Sequence, residues 1–328
     1  MALKLSIIGN GQRSMGDATL DDIRDCLEQK TGVVWIDASG PSFEEIDAIG
    51  DLFHFHALSL EDAHLRHQRP KVDQYEGYLF IVFYVMAEVD GEIRTVEVDF
   101  FVGEHYVVTM HQRPLAALGE VQQRWMRNAA ANGSGTSGSA HSAGILLYSI
   151  LDAIVDAYFP LVDRIGEEIE RLEESIFTSD DPDAQRKIFS MKRNLLSMRR
   201  VLGPERDVMN VLVRRDTPIF EMTTVIYMQD VYDHILRVND ALDIYREIVT
   251  SALDAHLSMT SNRLNVVMKR MTAASVILMT VTIVASIYGM NFVHMPELDW
   301  RFGYPLALGV MLAAAGVLIA VFKKIDYL

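Results

Sequence analysis

Cysteine is almost missing from this chain of 328 residues: Cys26 is the only one. A disulfide framework and a thiolate metal site are both excluded within one chain. Positive charge is also scarce. Lys and Arg number 30 against 45 Asp and Glu, a formal net charge of −15. That balance argues against nucleic acid as a partner and suits a protein that gathers cations. No glycine-rich phosphate loop occurs, because Gly9-Asn10-Gly11 is too short and is not followed by a helix of the right spacing. His54, His56, His64, His67, His105 and His111 are scattered without His-Glu-x-x-His or equivalent spacing, so a hydrolytic zinc centre finds no ligand set. The chain reads as a non-enzyme. A hydrophobic signal segment is missing from the start, and the first apolar run long enough to insert begins at Met271, which places everything before it in the cytoplasm.

Long apolar runs are confined to the last quarter. Met271 to Met290 is 20 residues without a charge, and Phe302 to Phe322 is 21. Each is long enough to cross a hydrocarbon core as a helix. The short segment 291–301 between them predicts a tight hairpin. Lys269 and Arg270 precede the first run and Lys323 and Lys324 follow the second, so the basic bias puts both chain ends inside and the turn outside. The chain reads as a multi-pass protein of the cytoplasmic (inner) membrane, in contact with lipid.

The first run carries a polar pattern. Asp254, Ser258, Ser261, Asn265, Met268, Thr272, Ser275, Met279, Thr282, Ser286 and Gly289 follow at steps of four or three, which keeps them near one helix face. At 1.5 Å per residue the stripe covers roughly 52 Å. Two readings stay open from the pattern: a helix–helix seam of small and hydroxyl residues, or the lining of a narrow polar tube shared by several copies. In the second run Gly309, Ala313, Gly316 and Ala320 form a smooth stripe that admits another helix closely, and the remaining faces suit lipid. The second helix is expected outside the first. Trp300, Phe302 and Tyr304 stand where an outer aromatic belt belongs.

Tyr288-Gly289-Met290-Asn291-Phe292, followed by Met295-Pro296-Glu297-Leu298, resembles the signature of the CorA family of divalent metal transporters. Ser261-Asn-Arg-Leu-Asn-Val-Val-Met-Lys269, Leu60-Glu61-Asp62, His67-Gln-Arg-Pro-Lys-Val72, Tyr232-Asp-His234 and Ser251-Ala-Leu-Asp254 extend the likeness over nearly the whole chain, in order. The resemblance implies a funnel-shaped homopentamer: an α+β (α/β) cytoplasmic domain, a long helical stalk and two transmembrane helices, with the pore lined by the first. It implies transport of magnesium, with cobalt, nickel or zinc as further substrates, and no enzyme activity. A zinc transporter of the same superfamily is the alternative, and a membrane-anchored sensor without transport the rival class.

Pore and selectivity residues under this reading are Gly289, Met290, Asn291, Ser286, Thr282, Met279, Met271 and Asn265. Magnesium gives up its six waters reluctantly, so amide, hydroxyl and carbonyl oxygens without fixed charge suit a hydrated ion. Met279 is an apolar constriction that closes by excluding water, and Met271, beside the stripe, takes that role from the family match. Glu297 in the outer turn is read as attracting cations. The family match pairs Asp62 with Asp254 across a subunit boundary as a regulatory magnesium site, so that occupancy reports internal magnesium. Thr280 stands where many relatives have proline and Ser286 where glycine is common. The unaltered Gly289-Met290-Asn291 leans toward magnesium.

Residues 1–112 are expected to form a mixed sheet covered by helices. Lys4 to Ile8, Val33 to Ile36, Val72 to Glu88, Ile93 to Phe101 and Tyr106 to Met110 read as strands, and Leu20 to Gln29 and Ser42 to Phe55 as helices. Residues 113–245 read as helical. Ile145 to Phe177 is one long helix, and Asp183 to Leu202 a return helix ended by Gly203-Pro204. Between the first of these and Pro114 to Ala130, Asn132 to Ala140 reads as a glycine- and serine-rich surface loop. Glu167, Glu168, Glu170, Glu173 and Glu174 make an acidic face on this hairpin, read either as solvated or as a cation-gathering patch. Residues 246–290 are stalk and first membrane helix (membrane part 271–290), 291–301 the outer loop, 302–322 the second membrane helix and 323–328 a basic tail.

Overall fold

The computed structural model describes residues 3–9, 12–17, 33–89, 92–131, 142–178, 183–214, 220–291, 295–296, 300–325 and 327. The helix expected at Leu20 to Gln29, the loop at Asn132 to Ala140, and Glu297 lie outside them. The chain forms two compact units, Met1–Thr250 and Ser251–Leu328.

The first unit is built on a seven-stranded mixed sheet. Its strands are β1 (Leu3–Gly9), β2 (Gln12–Asp17), β3 (Val33–Ser39), β4 (Lys71–Tyr75), β5 (Tyr78–Val89), β6 (Glu92–Gly103) and β7 (Tyr106–His111), in the order β2-β1-β3-β7-β6-β5-β4. Among the described residues, only β3 and β7 run parallel. The stretch read as one strand from Val72 is two. Tyr75 and Tyr78 close a hairpin whose turn uses Gly77 at φ +84°, a conformation open to glycine without steric cost.

Both sheet faces are covered, as the nearly continuous apolar run of β5 requires. On one face Ile36, Phe80, Val82, Phe101, Val108 and Met110 pack against Ile46, Ile49, Phe55 and Ala63. Ile46 and Ile49 come from α1 (Phe43–Phe53), Ala63 from α2 (Ala57–Leu65), and Phe55 from the short link between them. Ser42 caps α1 reciprocally with Glu45. The opposite face meets α3 (Ala116–Ala131), α4 (Ala143–Asp156), α5 (Tyr158–Thr178) and α6 (Ala184–Arg214).

Two helix readings need correction. The expected single helix from Ile145 breaks at Ala157, because Pro160 has no N–H to offer the Asp156 carbonyl. Pro204, expected to end the return helix, lies inside α6. Its cost of about 3 kcal/mol is offset by burial of Val201, Leu202, Val208 and Met209 on that helix.

A single helix, α7 (Met222–Tyr288), runs for 67 residues, and α8 (Gly303–Lys324) follows it. Both contain windows long and apolar enough to cross a membrane, with only 6% and 11% of those windows buried. The segment Ala143–Ile176 also qualifies by composition, but 56% of its window is buried within the protein. There the apolar side chains of α4 and α5 serve the core of the first unit.

Candidate ion path and metal sites

Within the second unit, α7 and α8 pack along a narrow seam. Ala273 is fully buried, and Ile277, Thr280, Val281, Val284 and Tyr288 are half-buried, at spacings that place them on one face of α7. Gly303, Ala307, Met311, Ala314, Leu318 and Phe322 are the corresponding covered positions of α8. The polar stripe of α7 lies on the other side. Asp254, Asn265, Thr272, Met279, Thr282, Ser286 and Gly289 are all exposed, as are Met290 and Asn291 beyond the helix end. Met271 and Met279 leave 63% and 65% of their surface open, a large apolar exposure for residues that nothing in their own subunit covers. The small stripe of α8 is open too: nothing approaches within 4 Å of a Cβ built at Gly309 or Gly316.

Oxygen chemistry on the stripe follows from helix geometry. Thr272 and Thr282 each donate their hydroxyl hydrogen to the carbonyl four residues earlier, Met268 O and Leu278 O, at 2.8 Å. Their lone pairs then point outward as acceptors. At the helix end, the Gly289 N–H shares Ala285 O and Ser286 O at 3.0 and 3.1 Å, and Met290 N–H reaches Ile287 O at 3.3 Å. Gly289 is not in the left-handed region, and an added Cβ meets only Ala285 O at 3.4 Å and Ser286 O at 3.5 Å.

The two ends of this hairpin differ in chemistry. At one end Lys269 Nζ lies 5.4 Å from the centre of the Tyr327 ring, which stacks on Phe322, so four basic residues gather there. Trp300 and Phe302 meet edge to face at 5.9 Å near the start of α8, exposed as an interfacial pair would be.

In the first unit Asp62 is part-buried on α2, and its Oδ2 accepts from Lys71 Nζ at 2.6 Å. Lys71 also reaches Asp73 at 2.8 Å. Burial works to lower the Lys71 pKa, but the hydrogen bonds to Asp62 and Asp73 more than offset it, and the ammonium is raised. Close by on the same sheet face, Glu97 accepts from His67 N–H, from Gln68 N–H and from the Tyr84 hydroxyl. Asp99 is buried with Oδ1 unpartnered, and burial followed by the Glu97 charge pushes its carboxyl well above the usual range. Thus the motif His67-Gln-Arg-Pro-Lys-Val72 wraps a carboxylate cluster. Asp62 belongs to the first unit and Asp254 to the second.

The scattered histidines do not converge on a metal. His111 is buried against Asp37 at 2.8 Å with its other nitrogen on Arg113 O, His64 pairs with Asp47, and His56 caps α2. On the acidic face of α5, Glu167, Glu170, Glu173 and Glu174 are exposed. One group of potential ligands among the described residues was missed, namely Asp152, Asp230 and His234. Its signal was the i,i+4 pairing of Asp152 with Asp156 and of Asp230 with His234.

The family model described as CorA-like Mg2+ transporter protein matches residues 30–324. A cobalt/magnesium transport protein CorA of Thermotoga maritima is 36% identical over 297 residues, covering 90% of this chain and 83% of that protein. A putative metal ion transporter of Bacillus subtilis, YfjQ, is 35% identical over 286 residues, covering 87% of each. Among solved structures, the complete CorA magnesium transporter of Methanocaldococcus jannaschii superposes with a TM-score of 0.84 at 22% identity, covering 99% of this chain and 98% of that one. From helix α2, which carries Asp62, to the signature at the end of α7, this chain belongs to the CorA-like Mg2+ transporter family.

Proposed function

We propose that five copies of this chain form a magnesium channel of the cytoplasmic membrane, with cobalt and nickel as further substrates, gated by internal magnesium. Family membership already makes it a divalent cation transport protein and not an enzyme. The observation that carries the finer reading is the position of the polar stripe. It lies on the α7 face turned away from the seam with α8, and a ring of copies buries it where each subunit alone cannot.

In this assembly Asn291 and the Gly289 carbonyl ring the outer mouth, and Glu297 attracts cations to it. Thr282, Ser286 and Asn265 offer oxygens to the hydrated ion, which keeps its tightly held waters. Met279 and Met271 are the constrictions that close by dewetting. The chain ends face the cytoplasm, following the basic residues at 269–270 and 323–324. Asp62 and Asp254 of neighbouring subunits hold the regulatory magnesium. Both are carboxylates accessible to solvent, the hard oxygen donors this ion takes, and a bound cation turns their repulsion into a bridge that keeps the assembly closed.

Purified protein in empty vesicles tests the reading. Magnesium influx that falls as internal magnesium is raised is the expected result. Vesicles that admit no divalent ion under either condition would overturn it.

A further inference from the structure

The end of α2 borders a cleft of about 430 Å3 in the unit Met1–Thr250, beside the residues that follow β3 and β7. Phe43, His64, Leu65, Arg66, His67 and Arg113 supply most of its wall, and no lining residue is acidic. In a chain with a formal charge of −15, a cleft walled by two guanidiniums and two imidazoles runs against the average. His64 is met by Asp47 at 2.8 Å. Neither Arg66 nor Arg113 forms a side-chain hydrogen bond or ion pair among the described residues, although buried Asp99 feels the Arg66 charge. The start of α1 is not what would attract an anion, because Ser42 and Glu45 already cap it reciprocally.

The backbone is bent to build this wall. Arg66 has φ 51° and ψ −177°, and His67 has φ 62°. The first combination is open to glycine and strained for a residue with a Cβ. It is held by Arg66 N–H on Asp62 O at 2.9 Å and by His67 N–H on the Glu97 carboxylate. Arg66 and His67, adjacent in sequence, thereby line the same cleft. The rim beside them is apolar. Phe43 and Leu65 leave 66% and 65% of their surface open, and Phe43 meets His64 edge to face at 5.0 Å.

We propose that this cleft binds a nucleoside polyphosphate, its base against Phe43 and Leu65 and its phosphates on Arg66, Arg113 and His67. Guanidinium forks match phosphate oxygens two at a time, and an exposed aromatic ring offers a face to another flat ring. An anion that carries such a ring uses both halves of the wall. The volume lies in the range of small-molecule sites. A glycine-rich loop is not required, because side chains rather than loop N–H groups take the phosphates. The site is separate from the ion path and does not depend on the chain being a channel.

The test is calorimetric titration of ATP into the purified full chain in detergent, with EDTA present so that no metal bridges the two. Wild type is expected to take up one ATP per chain. Arg113→Gln should weaken binding roughly tenfold, the loss of one charge-assisted contact. Arg94→Gln makes the same charge change on β6 and should leave binding as in wild type. Phe43→Ser should weaken ATP several-fold and erase its advantage over inorganic triphosphate. All three positions are exposed, so unfolding temperatures without nucleotide should match. Wild type that takes up no ATP, or equal binding by the Arg113 and Arg94 variants, overturns the site. Triphosphate that binds wild type as tightly as ATP overturns the nucleotide assignment and leaves a general anion contact.

Discussion

Lys71 Nζ sits 2.6 Å from Asp62 Oδ2, so the carboxylate proposed for magnesium sensing already has a cation of its own. The two side chains are 33% and 21% exposed, and such a pair contributes little to stability. Its importance lies in competition. A magnesium ion at Asp62 must displace the ammonium or share the carboxylate with it. Lys71→Gln is therefore expected to shift magnesium protection of the cytoplasmic region from protease to several-fold lower concentration. Asp62→Asn with Asp254→Asn should abolish the protection and weaken shut-off of flux. If the Lys71 variant keeps the wild-type magnesium dependence, the ammonium does not set the sensitivity of the site.

The outer mouth gives a second prediction. Asn291→Ala should nearly abolish magnesium flux with expression and assembly intact, because a ring of amides is lost. Gly289→Ala should also cut flux, without lowering the unfolding temperature. A methyl group there finds no clash inside its own subunit, so the harm must arise between copies. Normal flux in the Asn291 variant vesicles rules out the assigned role.

Subunit arrangement is checked with cysteines in a chain whose native Cys26 has been replaced. A cysteine at Thr282, on the open face, should cross-link neighbouring copies through the centre. One at Ala273, buried in the seam with α8, should not. Equal cross-linking at both positions, or full flux from a detergent-stable monomer, contradicts the shared pore.

Glu205 predicts a pH dependence of stability. Its side chain is completely buried beneath β5, where Oε1 accepts from Tyr84 N–H at 2.9 Å and from the Tyr158 hydroxyl at 3.2 Å, and Oε2 has no partner. Burial raises its pKa from 4.5 to about 8, with those two hydrogen bonds pulling the other way. Because the folded value is the higher one, the contribution to stability is complete below the unfolded value and is lost as pH rises through the folded one. Wild-type unfolding temperature should fall between pH 5 and pH 8.5 (roughly the interval bracketed by the two values). Glu205→Gln should flatten that fall. An equal slope in both proteins means that another group is responsible.

Much of this architecture could be read from the sequence because lipid and water impose simple patterns. The charge-free runs, their basic flanks and the polar steps from Asp254 to Gly289 predict two helices with one polar face, and α7 presents that face outward. The interior was harder to read. Glu76-Gly77 is a weaker turn signal than Asp90-Gly91, so a hairpin was missed inside an aromatic stretch. Pro160 broke a helix and Pro204 did not, and the presence of a proline alone does not say which will happen. The Lys71–Asp62 contact and the Asp152, Asp230 and His234 cluster join elements far apart in the chain, and no local periodicity announces such meetings. The family likeness identified Asp62 as important without revealing its lysine.

The threonine hydroxyls of α7 bear on anions. Thr272 and Thr282 have spent their only donatable hydrogens on backbone carbonyls. A chloride ion, which needs donors, meets at these positions a surface that can only accept. In the proposed pore this lining rejects one sign of charge by the direction of its dipoles, and a cation crossing it leaves as readily as it enters.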